Sequence, residues 1–312
     1  MKAIILKDFG SADNLQIEEL PTPEIKDDEV LVKIKAISIN PIDAKTRSGK
    51  GMATRLKEFS PIILGWDISG VVIEVGSSVS NFKKDDEVFG MINFPGHGKA
   101  YAEYVAAPSS HIAIKPKNIS FEQAAAATLA ALTAWQAIEA LQIKSGDTFL
   151  IHAASGGVGH FAVQIAKHLG AYVIGTSSAA NKNFVLSIGA DEFADYKAQQ
   201  LNEVISNVDK VLDTIGDDNI DLSLKLMKPG GIILTLPSDK SKHVQEKAAA
   251  KNMTGLHIMV HSSGEDEKKL AELMKQEIIK PYISKTFSFH EMKEAHLQIE
   301  SGRTVGKIIV RV

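Results

Sequence analysis

The chain has no cysteine, and that absence removes more chemistry than any other feature of its composition. Disulfides, thiol nucleophiles and cysteine-held iron–sulfur clusters are excluded, and a zinc ion would find only His, Asp and Glu as ligands. An excess of one charge is also missing. The 35 Lys and Arg against 38 Asp and Glu leave a net charge of −3, which gives no reason to expect nucleic acid or an anionic membrane as partner. Long apolar runs are absent too: the longest nearly apolar stretch, Ala124 to Trp135, falls short of the roughly 20 residues a bilayer span needs. Near the start, Lys7 and Asp8 follow Ile4-Ile5-Leu6 so closely that no secretory apolar region is expected. The ten histidines are dispersed. His257 and His261 would align on a helix, but Leu256 to Val260 reads as a strand and no third ligand stands beside them, so no metal is expected. What remains is the composition of an ordinary globular protein, 44% hydrophobic and 23% charged. Its 312 residues are enough for two domains with separate cores and carry no internal repeat or low-complexity linker. A cytoplasmic protein is the expectation.

The most informative stretch present is Thr148-Phe-Leu-Ile-His-Ala-Ala-Ser-Gly-Gly-Val-Gly159. An apolar run stops at small residues, and a segment with helical spacing (Phe161, Ile165, Leu169) follows at once, which predicts strand, tight turn, helix. Aligned to the fingerprint G-x-G-x-x-G, the turn offers Ala154, Gly156 and Gly159, with Ser155, Gly157 and Val158 between them. A turn without side-chain bulk lets a pyrophosphate reach backbone N–H groups at a helix N-terminus, where the dipole favours an anion. A plain tight turn is the rival reading of the glycines alone. The next apolar run, Tyr172 to Gly175, ends in Thr176-Ser177-Ser178, where an NAD-binding unit carries an Asp or Glu for the ribose 2′-hydroxyl. Hydroxyls here, with Lys182 just beyond, suit a dianionic 2′-phosphate and predict NADP(H). Ser177 and Ser178 also suit a helix N-cap, and Lys182 also suits a solvated helix face.

Residues 1–120 are rich in short strand signals: Val30–Ile37, Gly70–Gly76, Asp86–Gly90 and Ala102–Ala106, as in a small barrel or sandwich. At Ser120 the character changes. Ser120 with Gln123 predicts a capping box opening one Ala-rich helix that runs to Leu141. Beyond it, near-continuous apolar strands at 148–153, 172–176, Val208–Asp213 and Gly231–Leu236 alternate with helices, as parallel strands covered on both faces do. The last residues, Val305–Val312, read as a strand returning to the first domain.

These residues resemble the zinc-free quinone oxidoreductase branch of the medium-chain dehydrogenase/reductases, which includes zeta-crystallin-like and alkenal reductase-like proteins. The resemblance covers essentially the whole chain. It rests on Ala36-Ile-Ser-Ile-Asn-Pro-Ile-Asp43 with Arg47-Ser-Gly49, Leu64-Gly-Trp-Asp-Ile-Ser-Gly70, Ala153–Gly159, Ser187-Ile-Gly-Ala-Asp191 and Gly306-Lys-Ile308. It implies an α/β fold, with a GroES-like β-rich catalytic domain over 1–120 and 263–312 and a Rossmann NADP-binding domain over 121–262. Zinc-dependent members carry a Cys near Asn40 and Gly-His-Glu at Gly65-Trp66-Asp67, so both ligand positions are changed here. Without a Lewis acid, alcohol dehydrogenation gives way to reduction of an activated acceptor.

The activity implied is zinc-independent hydride transfer from NADPH to a quinone or an α,β-unsaturated carbonyl by a homodimer. The alternative is a non-catalytic NADPH-binding redox sensor or crystallin-like protein. The resemblance places Asn40 and Asp43 near nicotinamide and substrate. Asn40 would donate to the substrate oxygen or hold the turn before Pro41; Asp43 would orient groups, having no proton to give at neutral pH unless burial raises its pKa. Relatives often carry a Tyr in the loop after Arg47-Ser48-Gly49, and Lys50 to Thr54 contains none. For the cofactor, the resemblance adds Thr133 at the carboxamide and Tyr196 beside the adenosine phosphate. It also adds Asp213, Leu236, Pro237 and Ser238 after successive strands, and Met259 and Val260 in a segment that forms a dimer edge or an internal strand.

Overall fold

In the computed structural model, which describes residues 1–237 and 239–312, contacts divide the chain into two units: Met1–Leu132 with Val260–Val312, and Thr133–Met259. Ser238, one of the expected cofactor residues, lies outside the described residues.

The first unit opens with β1 (Lys2–Leu6), β2 (Leu15–Glu19) and β3 (Glu29–Ile39), then α1 (Pro41–Arg47), α2 (Ala53–Leu56) and β4 (Ile62–Ile63). It continues with β5 (Asp67–Val75), β6 (Glu87–Met91), β7 (Tyr104–Pro108) and β8 (Ile112–Ile114). β3 is its axis. Antiparallel partners flank it, β5 on one side and β7 with the C-terminal strand on the other, which accounts for its burial at nine of eleven positions. α3 (Phe121–Ala126) starts at the expected capping box: Ser120 Oγ accepts from the Gln123 N–H at 3.2 Å, and Gln123 returns a bond to the Ser120 N–H at 2.9 Å.

The single helix expected from Ser120 to Leu141 is in fact two, α3 and α4 (Leu129–Leu141). The break has a cause outside the local pattern. Asp67 Oδ1 accepts from the Leu129 N–H at 3.0 Å and Thr128 Oγ1 donates to the Ala125 carbonyl at 2.8 Å, so a new helix begins on a buried carboxylate. α3 packs on β3 and β5, keeping residues 121–126 with the β-rich unit.

The second unit holds β9 (Thr148–Ile151), α5 (Gly157–His168), β10 (Tyr172–Ser177), α6 (Lys182–Ser187), β11 (Glu192–Asp195), α7 (Leu201–Val204) and β12 (Val208–Asp213). It continues with α8 (Asp218–Leu226), β13 (Met227–Thr235), α9 (Val244–Ala249) and β14 (Thr254–Leu256). The six strands form one parallel sheet in the order β11-β10-β9-β12-β13-β14. Helices cover both faces, so Phe149, Leu150 and Ile151 are fully buried. The strand expected over 256–260 instead ends at Leu256. Beyond it His257 Nδ1 bonds the Thr235 carbonyl oxygen at 2.8 Å, and the next residues leave the ladder.

The chain then rejoins the first unit through α10 (Gly264–Lys275), β15 (Ile283–Ser288), α11 (Met292–Glu300) and β16 (Lys307–Arg311). β16 pairs antiparallel with β3, Ile309 opposite Ser38, so the last strand returns as expected.

Candidate functional site

In the second unit the strand order reverses between β9 and β12, the place where open parallel sheets bind nucleotides beyond their carboxyl ends. The βα turn lies there. Ala153 adopts φ +49°, and Gly156, the N-cap of α5, has no side chain to accept the first-turn amides. The N–H groups of Gly157, Val158 and Gly159 therefore have no acceptor within the helix. A Cβ on Gly159 would run into the Ala153 carbonyl oxygen and come within 2.8 Å of Ala154 Cα, so the turn closes this tightly only around glycine. The cradle fits a pyrophosphate.

At the end of β10, Ser155 Oγ and Ser177 Oγ lie 2.7 Å apart. The Asn181 amide donates to Ser155 and Ser177, both at 3.1 Å, and to Ser178 at 3.4 Å. Asn181, which the motif reading passed over, thus gathers three hydroxyls. Ser178 occupies an N-cap position but its side chain makes no cap bond. Lys182 is exposed at the first position of α6, and no carboxylate occurs between Thr176 and Lys182. Thr176 is placed differently from its neighbours: it is 1% exposed and its hydroxyl meets His152 Nδ1 at 3.1 Å, while His152 Nε2 meets Ser223 Oγ at 3.0 Å. Burial lowers the His152 pKa to about 4, against the opposing pull of the Asp213 charge, so the imidazole is neutral.

Asp213 is fully buried and binds its own loop. It accepts from the Ile215 and Gly216 N–H groups, the Asn219 amide and Thr235 Oγ1 at 2.7–3.1 Å. Asp213→Ala would leave four donors without their acceptor and is expected to cost about 3 kcal/mol, read as a lower urea midpoint at unchanged m-value. Leu236 and Pro237 follow β13 half-buried, Met259 is exposed, and Val260 is buried. Tyr196 is exposed after β11, with the Lys197 ammonium 5.9 Å from its ring centre. Thr133 is buried on α4.

In the first unit, Asn40 and Asp43 belong to a buried polar cluster. Pro41 at the first position of α1 sets the helix start, and Asp43 Oδ2 accepts the Asn40 N–H at 2.6 Å. The Asn40 side chain is engaged at both ends: Nδ2 donates to Asp67 Oδ2 at 2.8 Å, and Oδ1 accepts from the Lys307 ammonium, which also donates to the Ile39 carbonyl at 3.3 Å. The amide expected to reach a substrate oxygen is thus bonded to a carboxylate of the protein. Removing one partner from such a buried charge group costs about 3–5 kcal/mol.

Burial, reinforced by the Asp67 charge, raises the Asp43 carboxyl to about 7; the Asn40 N–H, Lys307 and Tyr101 hold it from going higher. Burial also raises Asp67, against Lys307 and Asn40, and lowers the Lys307 ammonium, against the two aspartates. The loop position after Gly49 holds no tyrosine, but Tyr101 reaches Asp43 from a distant segment. Its hydroxyl bonds His296 Nε2 at 3.0 Å. Burial and then the Arg47 charge push His296 down to about 3, so the imidazole is neutral. Glu267 on α10 is fully buried near Asp67; burial, with the Asp67 charge, raises its carboxyl well above the usual range against the Met91 N–H. Lys307, Asp67, Tyr101, His296 and Glu267 were not singled out from the sequence as site residues. Only two motifs offered a signal: Gly65-Trp66-Asp67, and Gly306-Lys307-Ile308 with a lysine opening an apolar strand.

Two family descriptions match the chain: an alcohol dehydrogenase GroES-like domain over residues 26–117 and a zinc-binding dehydrogenase over 188–310. A 2-methylene-furan-3-one reductase of Solanum lycopersicum is 36% identical, covering 99% of this chain and 79% of the tomato protein. An NADPH-dependent alkenal/one oxidoreductase of Arabidopsis thaliana is 34% identical over the same shares. Among solved structures, the quinone oxidoreductase of Coxiella burnetii superposes with a TM-score of 0.96 at 38% identity, covering 100% of this chain and 99% of that one. The Escherichia coli quinone oxidoreductase complexed with NADPH gives 0.88 at 28%, with both chains fully covered.

Zinc does not fit the residues present. Trp66 commits its Nε1 to the Gly96 carbonyl at 2.7 Å, Asn40 offers a carboxamide already bound to an ammonium, and Asp67 alone retains ligand chemistry. Among the described residues no group of three His, Asp or Glu side chains is placed to hold a metal ion.

Proposed function

Because the chain belongs to the medium-chain dehydrogenase/reductase family, we propose that it is an NADPH-dependent, zinc-independent reductase of α,β-unsaturated carbonyls and quinones. The observation that carries this reading is the α5 N-terminus with the hydroxyl cluster beside it: a glycine cradle for a pyrophosphate, then Ser155, Ser177 and Ser178 without a carboxylate among them. NADPH supplies, when bound, a hydride from C4 of its nicotinamide.

The protein's own residues do the rest. The Gly157, Val158 and Gly159 amides hold the pyrophosphate. Ser177, Ser178 and Lys182 hold the 2′-phosphate, with Asn181 and Ser155 orienting the hydroxyls, and Tyr196 flanks the adenosine. Thr176 supports this edge from behind through His152, and Asp213 through its loop. Hydride addition to an enone β-carbon leaves an enolate that needs a proton. With its carboxyl near 7, Asp43 is the proton store, and Asn40 anchors it through the backbone N–H. The same reading pairs two copies in the cytosol through His257–Val260, the segment that follows β14, one of the two edge strands of the six-stranded sheet.

Turnover is tested by NADPH oxidation with a panel of 2-alkenals and quinones. Tight NADPH binding with no turnover on any acceptor would return the non-catalytic alternative. Lys182→Ala is expected to weaken NADPH about tenfold, roughly 1.4 kcal/mol, with NADH unchanged. Equal weakening of both cofactors in a fluorescence titration would reject the 2′-phosphate role.

A further inference from the structure

The misfit with zinc leaves a question of charge. Two carboxylates, Asp43 on α1 and Asp67 on β5, are fully buried within one cluster, and what stands against them is the side chain of Lys307, itself 3% exposed. We infer that Lys307 is a positioning residue that takes the electrostatic place of a metal ion: its ammonium fixes the Asn40 carboxamide and, through it, the Asp67 carboxylate, and so holds Asn40, whose backbone N–H binds Asp43, in the arrangement from which Asp43 delivers its proton.

The backbone that presents Lys307 is itself fixed. Gly306 adopts φ +59°, and a Cβ there would strike the Tyr282 carbonyl oxygen; the Lys307 N–H donates to that same oxygen at 2.8 Å. The Lys307 carbonyl accepts from Ser284 Oγ at 3.2 Å. The ammonium then donates to Asn40 Oδ1 and the Ile39 carbonyl, Asn40 Nδ2 donates to Asp67 Oδ2, and Asp67 Oδ1 accepts from Leu129 at the start of α4. One cation thereby orders α1, β3, β5 and the first turn of α4. Asp67 also faces Glu267 on α10, and Asp43 faces Tyr101, beside which stand Arg47 and His296. Had this position needed only volume, an apolar side chain would fill it without desolvating an ammonium. The two oxygens it bonds and the two buried carboxylates beside it say that the charge is used.

The inference rests on the reductase reading for its kinetic readout, and its stability readout stands apart from it. Lys307→Met keeps the shape and removes the charge. The expected result is a kcat for an enone at least 100-fold below wild type, with the NADPH dissociation constant within twofold, because the pyrophosphate cradle lies in the other unit. Lys307→Ala is expected to regain activity saturably with propylammonium and not with tetramethylammonium. Should Lys307→Met fail to fold, the double variant Lys307→Met/Asp67→Asn removes the charge pair together. It is expected to be soluble and to melt higher than Lys307→Met or, if that variant is insoluble, to be the only folded one of the two, yet to remain at least 100-fold slow. A Lys307→Met or double variant with kcat within threefold of wild type overturns the inference, as does a double variant no more stable than Lys307→Met. If wild type turns over no enone or quinone, the function reading fails instead, and the melting comparison still judges Lys307.

Discussion

Gly159→Ala is expected to abolish NADPH binding at any practical concentration, weakening it more than 100-fold, and to weaken NADH equally. The added methyl meets the Ala153 carbonyl oxygen and Ala154 Cα, both backbone atoms, so no side chain can swing away to make room. The turn must open, and the first-turn amides of α5 then no longer converge on one point. A loss above 100-fold corresponds to more than about 2.7 kcal/mol, well within what several charge-assisted amide bonds to a phosphate contribute. Gly156→Ala provides the graded comparison. Its nearest contact is the same Ala153 oxygen at 3.2 Å, tight but open to adjustment of a few tenths of an ångström, so a loss below tenfold is expected. Calorimetric titration of both variants against both nucleotides checks the order. Wild-type affinity in Gly159→Ala would remove the pyrophosphate site from this turn.

The second large effect concerns Asp43. Asp43→Asn preserves an acceptor for the Asn40 N–H but has no proton to give, so kcat for enone reduction is expected to fall about 100-fold or more while NADPH affinity stays within twofold. The wild-type rate should decline as pH rises through about 7, where the carboxyl loses its proton, and the residual rate of the variant should lack that inflection. Stability carries the same signature with a definite sign. The folded pKa of about 7 lies above the unfolded value near 3.8, so the folded state holds a proton that the unfolded chain has released between those limits. The stabilising contribution is complete below about pH 4 and is lost as pH rises through 7, at most about 1.4 kcal/mol per pH unit. Urea midpoints of wild type should therefore fall from pH 5 to pH 8 more steeply than those of Asp43→Asn. Parallel slopes, together with an unchanged kcat, would leave Asp43 without a protonic role.

The proposed nucleotide edge is readable along the chain because every part of it is local. Gly156, Gly157 and Gly159 lie within one turn; Ser177, Ser178 and Lys182 follow one strand; and the apolar runs 148–151 and 172–175 write the βαβ unit directly. Even there the sequence could not say which hydroxyl faces outward. Thr176 and Ser177 are adjacent, and alternation along β10 sends one to His152 and the other to Ser155 and Asn181. The polar cluster was nearly illegible. Asn40 and Asp43 were named from a motif, but their partners Asp67, Tyr101, Glu267, His296 and Lys307 come from segments up to 267 positions away, and nothing local marks a lysine as buried. The same long reach explains the misread helix: the carboxylate that divides α3 from α4 sits on Asp67, 62 positions before Leu129.

Residue types and short spacings alone settled the α/β class of the fold, the strand, tight turn and helix around Gly156–Gly159 and the lack of cysteine chemistry, since each depends on periodicity or composition within some twenty residues. Folding decided which groups are dry and which charges face each other. That is why the Asp43 carboxyl titrates near 7 instead of near 4, and why an ammonium on the last strand stands beside buried carboxylates. Electrostatic energies depend on burial and on distance through space, and neither quantity is written along a chain.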